Sequence, residues 1–445
     1  MSGEQRICLV GDILVDVTLK NIASPYKLRL GGIVHAARGL WALGVNYSVG
    51  YFAPEYLDHE INRYLTKHGC SEIIKLGNIT GSPYVFLIEE VKEAGNQGYE
   101  FLLREALAIE YYSDSWDTLQ KKNFSDLFFI SGNYSLSDLF AKTFCESNLH
   151  LDIANNVENL SFFENFKAKF STLFLSTSSS LFFNNFSGDF DSFSQQFKPF
   201  THRLILKENR GGSRGVDFNT NERSFAWSQT QPIVHSVGVG DVYDSTFISL
   251  INQHNCQESM ILSSWVASEY ALTTYPDDFN KAIRRIQKSK IDELIQLKGV
   301  YLPWESRDKI NIYIAAPDFD FMNRAHIEQM VKCLEYHNFK PRRPIIENGQ
   351  MEADANIARR QDLFTKDIKL LGECQLLVAV LLNDDPGTLV EIGFASAKGM
   401  PTIVYDPYKH ANNCMLTQLP TLLSSDLDEV ISEVFIQSAK LFTHE

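Results

Sequence analysis

The sequence predicts an α/β protein of two domains, each built on a largely parallel sheet with helices on its faces. Short apolar runs alternate with stretches of helical periodicity through most of the chain, which is the pattern of successive βαβ units. A chain of 445 residues exceeds one ordinary hydrophobic core. A charged helix is predicted at 277–297, and a new series of strands and helices starts at 310. We therefore place the boundary at about residue 305, which gives domains 1–305 and 306–445.

The first domain alternates strands and helices. Strands are predicted at 7–10, 47–52, 84–87, 127–130, 149–153, 172–175 and 204–206. Helices are predicted at 33–43, 55–68, 136–146, 241–253 and 259–272. The pair 84–90 and 98–103 predicts a small antiparallel lid on the main sheet. The segment 162–200, rich in Phe, Ser and Asn, fits a disordered stretch or a packed element, and its density of Phe favours packing.

Composition limits the partners that we expect. Apolar residues make up 44% and charged residues 22%, the balance of a globular protein. A net charge of −14 argues against a general nucleic-acid surface, which needs clustered Lys and Arg. No apolar run is long enough to span a membrane, and no signal segment is evident. The seven cysteines are scattered without paired spacing, so we expect reduced thiols, a cytoplasmic protein and no metal site.

Two glycine motifs open helices in the first domain. They are Gly31-Gly32, before the helix at 33–43, and Gly238-Val239-Gly240-Asp241. Glycines at a helix N-terminus let free backbone amides approach an anion. Asp241 would then be placed to take a proton from a hydroxyl that attacks a phosphoryl group. The short second motif is equally compatible with an ordinary helix start.

In combination and spacing, residues 5–300 resemble the PfkB/ribokinase family of sugar and nucleoside kinases. The resemblance implies a ribokinase-like three-layer domain with a small lid. It also implies a sugar site at the family's opening motif and di-glycine, here Asp12, Asp16, Gly31 and Gly32. Residues 207–212 would lie beside the nucleotide. Gly238, Val239 and Gly240 would bind phosphate and Asp241 would be the catalytic base, with ATP and Mg²⁺ as cofactors if the domain is an active kinase.

The first domain departs from that family at three places. His235 stands where an Asp usually begins the second signature, and His35 or Ala36 stands where an Asn usually follows the di-glycine. The family's Asn-x-x-Glu motif, which organises Mg²⁺ and phosphates, should follow the strand at 172–175, but residues 176–180 read Ser-Thr-Ser-Ser-Ser. Divalent cations prefer charged oxygen ligands. An active kinase and a ligand-binding or regulatory relic therefore both stay open.

The second domain predicts a site at the carboxyl ends of its strands. Strands at 310–315 and 376–382 are each followed by a loop and a helix, and ligands of open α/β sheets lie beyond such strand ends. Glu391 lies in the first turns of an apolar helix, where the helix dipole alone could account for it. Breaking a glycosidic bond needs one carboxylate at the anomeric carbon and an acid or base at the leaving group. Asp367, Asp384 and Asp385 could complete such a pocket.

Residues 312–416 resemble the nucleoside 2-deoxyribosyltransferase family. The shared features are Tyr313 with Ala-Ala-Pro on the first strand, Asn-Asp-Asp after the apolar strand, the block 387–395 and Asn413. The resemblance implies a flavodoxin-like or Rossmann-like sheet and no cofactor. Glu391 would attack C1′ and form a covalent glycosyl-enzyme, Asp367 would exchange a proton with the base, Asp385 would bind sugar hydroxyls and Tyr313 would orient Glu391. Further substrate contacts would come from Ala316, Asp384, Gly387 and Thr388.

The same resemblance implies a homo-oligomer, because Asn413 would complete the site of a neighbouring subunit. The family also contains nucleotide hydrolases, so water could replace the acceptor base. Three hypotheses follow. The first is an N-glycosidic transferase or hydrolase that acts on a small nucleoside or nucleotide. The second is a bifunctional kinase and N-glycosidase. The third is a non-catalytic nucleotide sensor or scaffold.

Overall fold

The computed structural model describes residues 5–18, 27–81, 83–88, 92–96, 99–102, 107–136, 147–153, 157–166, 168–352 and 354–442. Residues 137–146 of the helix predicted at 136–146 and the edges of the two predicted lid strands, residues 89–90, 98 and 103, lie outside these ranges. The chain divides into two compact units. The first contains Met1–Lys92 and Gln97–Gly299, and the second contains Glu93–Asn96 and Val300–Glu445. The boundary predicted at 305 lies close to this division.

A ten-stranded sheet forms the centre of the first unit. Its strands are β1 (Ile7–Asp12), β4 (Tyr47–Ala53), β5 (Ile73–Thr80), β8 (Ala108–Tyr111), β9 (Asp126–Ile130), β10 (Asn148–Ile153), β11 (Thr172–Ser176), β12 (Arg203–Lys207), β13 (Ser213–Asp217) and β14 (Glu222–Ala226). Their order is β14-β13-β12-β11-β10-β9-β1-β4-β5-β8. Pairs from β12 to β5 are parallel, whereas β13 and β14 at one end of the sheet and β8 at the other end pair antiparallel. The predicted α/β class is confirmed.

A smaller sheet forms the lid. It has the order β3-β2-β6-β7 and consists of β2 (Val15–Thr18), β3 (Lys27–Leu30), β6 (Val85–Ile88) and β7 (Tyr99–Phe101). β6 and β7 pair antiparallel, which confirms the predicted excursion. The sequence analysis did not identify β2 and β3. Their antiparallel register sets Asp16 opposite Arg29.

Helices cover the sheet of the first unit. The principal ones are α1 (Val34–Leu43), α2 (Asp58–Lys67), α3 (Ser113–Gln120), α4 (Ser180–Asn185), α5 (Phe190–Gln195), α6 (Val239–Leu250), α7 (Cys256–Ala271), α8 (Pro276–Ile286) and α9 (Ile291–Gln296). The single helix predicted at 277–297 is wrong, because Lys290 is extended and separates α8 from α9. After this break, Leu294 of α9 is buried in the hydrophobic core of the first unit.

The Phe-rich segment is a packed element, as its composition favoured. Phe182, Phe193 and Phe197 are buried. The rings of Phe182 and Phe193 meet edge to face with centroids 5.3 Å apart, and those of Phe193 and Phe197 with centroids 5.1 Å apart. The phenyl rings therefore form a core between α4, α5 and the edge of the sheet.

The second unit has a five-stranded parallel sheet. Its strands are β15 (Asn311–Ala315), β16 (Lys340–Arg342), β17 (Leu376–Val380), β18 (Thr402–Tyr405) and β19 (Leu422–Ser424), in the order β16-β15-β17-β18-β19. Numbered within the unit this is the order 2-1-3-4-5, the flavodoxin-like topology. Because the chain leaves β15 and β17 toward opposite edges, a crevice opens beyond the carboxyl ends of these two strands.

Helices flank this second sheet. They are α10 (Trp304–Arg307), α11 (Ala325–Tyr336), α12 (Pro344–Asn348), α13 (Ile357–Gly372), α14 (Pro386–Ala397), α15 (Cys414–Gln418) and α16 (Leu427–Phe442). The sequence analysis did not identify β18, β19 or α16, although Val430, Ile431 and Val434 of α16 are fully buried core residues. In the described part of the chain, no helix is both long and apolar enough to cross a membrane.

Candidate active site

A tyrosine and a glutamate form the centre of the candidate site in the second unit. Tyr313 belongs to β15, and Glu391 lies in the second turn of α14, the helix that follows β17 and packs on both strands. The Tyr313 hydroxyl donates a hydrogen bond of 2.6 Å to Glu391 Oε1. The two residues are 78 positions apart in sequence. The sheet order brings them together beside the crevice.

The surroundings of Glu391 favour its neutral form. Burial raises the pKa of the Glu391 carboxyl to about 7, and the carboxylates of Asp367 and Asp385 act in the same direction. The hydrogen bond from Tyr313 opposes this shift by stabilising the carboxylate. Burial and the charge of Glu391 raise the pKa of the Tyr313 hydroxyl, so Tyr313 stays a donor across the physiological range. The carboxyl groups of Glu391, Asp367 and Asp385, all predicted site residues, therefore lie close enough to interact electrostatically.

Asp367 lies on α13, where it is half-buried. The Asn348 side-chain amide donates a hydrogen bond of 2.9 Å to Asp367 Oδ1. The sequence analysis did not identify Asn348, and its position at the end of α12 gave no motif from which to find it. The contact fixes one oxygen of Asp367. The charge of Asp367 also acts on Glu391 and Tyr313 and raises the pKa of both.

Asp385 caps helix α14. Its Oδ2 accepts hydrogen bonds of 2.7 Å from both the backbone amide and the hydroxyl of Thr388, which is buried. Such capping stabilises a helix start and orients the following turn. Asp384 and Gly387 are exposed beside it, and Ala316 is half-buried at the end of β15. Through this cap, Asp385 fixes the first turn of the helix that carries Glu391.

The side chain of Asn413 takes part in a hydrogen bond of its own, separate from those of the site carboxylates. It caps α15, accepting a hydrogen bond of 2.9 Å from the amide of Met415. No hydrogen bond joins it to Glu391, Asp367 or Asp385 within the described ranges. Its side chain is exposed, as is Met415.

Exposed apolar side chains also occur at Ile357 and Phe364 of α13 and at Val390 of α14.

An aromatic pair follows the first strand of the second unit. The rings of Phe319 and Phe321 are parallel, with an interplanar angle of 2° and centroids 5.4 Å apart. Phe321 is 76% exposed. The sequence analysis did not identify this pair. The nearby Ala-Ala-Pro motif indicated where the loop lies, but the sequence did not show that the rings stack.

In the first unit, the di-glycine lies against two aspartates. A side chain on Gly31 would bring its Cβ to 2.2 Å from Asp16 Oδ1. Gly32 has a φ of +61°, and its Cβ would lie 2.2 Å from the Asp12 carbonyl oxygen. Asp12 accepts hydrogen bonds from the Tyr84 hydroxyl at 2.5 Å and the Asn133 amide at 3.1 Å, and burial raises its pKa to about 6. The structure brings together the four residues predicted for the sugar site.

His35 connects this group to the second glycine motif. Its Nε2 lies 3.0 Å from Asp16 Oδ2, and its Nδ1 lies 2.7 Å from the Tyr270 hydroxyl. A Cβ on Gly238, which has a φ of +75°, would lie 2.1 Å from His35 Cγ. The other departure from the family, His235, is fully buried and has its Nε2 2.9 Å from the Thr273 carbonyl oxygen. Both histidines therefore have structural contacts at these positions.

Lys207 lies under the second glycine motif. Its ammonium contacts Asp244 at 2.5 Å and Asp152 at 3.3 Å, and it would be 3.3 Å from a Cβ on Gly240. Asp241 follows at the start of α6. Burial, followed by the charge of Asp152, raises the Asp241 pKa to about 7, while Lys207 lowers it. The sequence analysis placed Lys207 in a loop beside the nucleotide but did not identify this cluster of charges.

The serine hydroxyls at the end of β11 and just after it form hydrogen bonds within their own turn. Ser176 Oγ and Ser178 Oγ are 2.7 Å apart, and Ser179 caps α4 by accepting from the Phe182 amide at 3.2 Å. Among the described residues, no group of three or more His, Cys, Asp or Glu side chains is arranged to hold a metal ion. The seryl hydroxyls thus shape a turn at the place where the kinase family has its metal-organising glutamate.

Several solved structures are similar to the first unit. Phosphofructokinase-2 from Escherichia coli is 13% identical, with a TM-score of 0.48, and the match covers 64% of this chain and 99% of that one. A nucleoside kinase from Methanocaldococcus jannaschii is 12% identical, with a TM-score of 0.43 and coverages of 64% and 99%. A pyrophosphate-dependent kinase in the ribokinase family is 15% identical, with a TM-score of 0.47 and coverages of 61% and 98%.

Comparison with curated proteins finds no match. A family model described as nucleoside 2-deoxyribosyltransferase matches residues 312–424. These residues contain Tyr313, Asp367, Glu391 and Asn413 and span all five strands of the second sheet. Over residues 312–424 the second unit therefore matches the family that its motifs resemble, the nucleoside 2-deoxyribosyltransferases.

Proposed function

We propose that the second unit breaks the N-glycosidic bond of a nucleoside or nucleotide, with Glu391 as the nucleophile at C1′. The observation that carries the proposal is the 2.6 Å hydrogen bond between Tyr313 and Glu391 at the crevice of the sheet. Two further carboxylates, Asp367 and Asp385, raise the Glu391 pKa. The match of this segment to a family named for transfer of deoxyribosyl groups agrees with such chemistry.

In the first step, ionised Glu391 attacks C1′ through Oε2 while Tyr313 holds Oε1. The bond from C1′ to the base nitrogen breaks, and its electron pair moves to the base. Asp367, oriented by Asn348, gives a proton to the departing base. The products are the free base and a glycosyl ester of Glu391.

In the second step, a new base or a water molecule attacks C1′ from the opposite face. The ester bond breaks, Glu391 leaves as a carboxylate, and the proton of the attacking group passes to Asp367. Two displacements at one carbon restore its original configuration. Attack by a base makes the reaction a transfer, and attack by water makes it a hydrolysis.

The cluster of carboxylates suits the charge that develops in this reaction. The sugar ring becomes partly cationic as the glycosidic bond breaks. Negative groups fixed around C1′ stabilise that charge without having to reorganise. Phe321, which is exposed and lies parallel to Phe319 on the loop after β15, offers a flat surface on which a base could stack.

We also propose that the second unit self-associates. Ile357 is 87% exposed, and Phe364, Val390 and Met415 are each more than half exposed. Several exposed apolar side chains on one small unit are typical of a protein interface. An interface that includes α15 would bring Asn413 of one copy to the site of another, as the family resemblance implies.

A kinase activity of the first unit is the second candidate. The pKa of Asp241 is raised to about 7, which suits a general base, and Asp241 directly follows Gly238, Val239 and Gly240. ATP and Mg²⁺ would be the cofactors, but residues 176–180 provide hydroxyls in place of a charged ligand. ATP-dependent phosphorylation of a nucleoside or sugar that is lost in Asp241→Asn would support this candidate.

A base-release screen tests the main proposal. Deoxynucleosides, nucleoside monophosphates and NAD are incubated with the full chain, with and without a second base, and free base is measured by chromatography. Glu391→Ala should reduce base release by about a thousandfold or more. Glu335→Ala, which removes an exposed glutamate of α11, should retain full activity.

Base release that persists in Glu391→Ala would contradict the role of Glu391. If neither Glu391→Ala nor Asp241→Asn alters any turnover while nucleotides still bind, the sensor hypothesis replaces both enzymatic candidates.

A further inference from the structure

A buried guanidinium in the first unit has N–H donors without a hydrogen-bond partner in the described part of the chain. Arg29 lies on lid strand β3, and its side chain is only 10% exposed. Its Nε and Nη2 are buried and have no hydrogen-bond partner among the described residues. The nearest charged group is Asp16, whose Oδ2 lies 3.5 Å from Nε. Leaving such donors unpaired inside a protein is costly, so the arrangement points to a missing acceptor.

Asp16 is the carboxylate that pairs with Arg29 in the described part of the chain. Asp16 must serve both Arg29 and His35, whose Nε2 lies 3.0 Å from the same carboxylate oxygen. Burial lowers the pKa of His35 to about 4 and that of His235 to about 3, so both rings are neutral at pH 7. A second guanidinium, Arg38, also acts electrostatically on both rings. Asp16 therefore shares one carboxylate oxygen between His35 and Arg29, and the longer of the two contacts is the one to Arg29.

Arg38 has no carboxylate partner among the described residues. It is buried and donates to the hydroxyls of Tyr64 and Tyr270 and to the Leu30 carbonyl oxygen. These uncharged acceptors satisfy its hydrogen-bonding geometry but do not neutralise its charge. An anion beside Arg29 would supply the acceptor that its Nε and Nη2 lack.

The location of this group is the candidate sugar site. Asp16 lies against Gly31, and His35 lies against Gly238 at the start of α6. The contacts from Arg29 through Asp16 and His35 thus join the lid to the N-terminus of α6. Free amides there add further positive potential.

A second unsatisfied group lies beside the same di-glycine. Oδ1 of Asp12 is buried without a hydrogen-bond partner among the described residues, while Oδ2 accepts from Tyr84 and Asn133. A carboxylate oxygen of this kind is satisfied by a hydroxyl donor. The site therefore lacks both a hydroxyl donor and an anionic acceptor.

We propose that the first unit binds a sugar that bears an anionic group, a phosphate or a carboxylate, and that Arg29 holds this group. The planar fork of N–H donors on arginine matches two oxygens of either anion. Asp12 accepts a hydroxyl of the same molecule. The inference does not depend on the reaction proposed for Glu391, because it concerns the other unit.

Calorimetric titration of the full chain tests this proposal. The ligands are ribose 5-phosphate, 2-deoxyribose 5-phosphate, ribonate and uncharged ribose, with inorganic phosphate as a separate probe. Ribose 5-phosphate and 2-deoxyribose 5-phosphate identify the anion as phosphate, whereas ribonate identifies it as carboxylate. At least one anionic sugar should bind about tenfold or more tightly than ribose.

Arg29→Met should remove this preference, whereas Arg29→Lys should retain part of it. Arg63→Met, which removes an exposed arginine of α2, is the matched control and should bind as the wild type does.

The wild-type titration alone decides the proposal if Arg29→Met does not fold. Equal affinity for ribose and for all the anionic sugars would overturn it, as would failure of every sugar to bind. A folded Arg29→Met variant that keeps the full preference would also overturn it. Base release is measured separately on the wild type, so failure of the Glu391 reaction is distinguishable from failure of this inference.

Discussion

Glu391 in the second unit and Asp241 in the first are both buried carboxyl groups with pKa values raised to about 7, yet their surroundings differ. Glu391 has a tyrosine donor and two further carboxylates, with no lysine or arginine among the principal influences on its pKa. Asp241 also has two carboxylates near it, those of Asp152 and Asp16, but Lys207 and the glycines Gly238 and Gly240 lie beside it as well. The first environment is electronegative and suits a sugar carbon that becomes cationic. The second combines a base with positive groups and suits an anionic ligand.

The comparison shows that a raised pKa alone does not identify chemistry. Burial is the largest cause of both shifts. Carboxylate neighbours occur at both sites, and the presence of Lys207 beside Asp241 distinguishes them. The predictions below first alter two neighbours of Glu391, one at a time, and then replace Asp241 itself.

Asp367→Asn should have the largest effect of these changes. Without a proton donor, a neutral base leaves slowly, so we expect release from 2′-deoxyguanosine to fall about a hundredfold to a thousandfold. A base that is already cationic, as in 7-methyl-2′-deoxyguanosine, needs no proton to leave and should be released at nearly the wild-type rate. Steady-state kcat/KM for the two substrates checks this. An equal loss for both would show that Asp367 does not act as the acid.

Tyr313→Phe should have a moderate effect that depends on pH. Glu391 must be ionised to attack, so wild-type kcat/KM should fall about tenfold per pH unit below about 7. The Tyr313 hydrogen bond lowers the Glu391 pKa, and its loss should move this acid limb to higher pH. At pH 7 we expect roughly a tenfold loss of kcat/KM, partly recovered at pH 9. An unchanged acid limb would exclude Tyr313 as the group that controls the ionisation of Glu391.

Asp241→Asn should have the smallest effect, on stability. Because the folded-state pKa of Asp241 is raised, the folded protein holds a proton that the unfolded chain has already lost, and stability falls as pH rises from about 4 to 7. The neutral asparagine removes this penalty. We expect the Tm to rise by about 2–4 °C at pH 8 and to remain unchanged at pH 4. A lower Tm at pH 8 would indicate that ionised Asp241 stabilises the fold through Lys207.

Sequence patterns predicted the elements that contain locally recognisable motifs. The strand of Tyr313, the helix of Glu391 and both glycine-led helices were found, because each combines an apolar run with a specific turn. The antiparallel strands β13 and β14 were missed, since Arg214, Asp217 and Glu222 interrupt their apolar pattern. α16 was missed although its apolar residues recur at helical spacing.

Contacts between distant segments were the part that the sequence could not provide. Asn348 contacts Asp367, Lys207 contacts Asp244, and Arg29 lies opposite Asp16, each through sheet order or helix packing rather than through a motif. The helix-capping role of Asp385 is different, because Asp followed three residues later by Thr388 was visible in the sequence. The position of Asn413 in an oligomer stays a prediction.

Trapping the glycosyl-enzyme tests the role of Glu391 most directly. A 2′-deoxy-2′-fluoro nucleoside makes the sugar cation less stable, which slows breakdown of the ester and allows it to accumulate. Mass spectrometry of the digested protein should find one fluorinated sugar attached to the peptide that contains Glu391, and none in Glu391→Gln. Free base released without any adduct, or an adduct on another residue, would contradict covalent catalysis by Glu391.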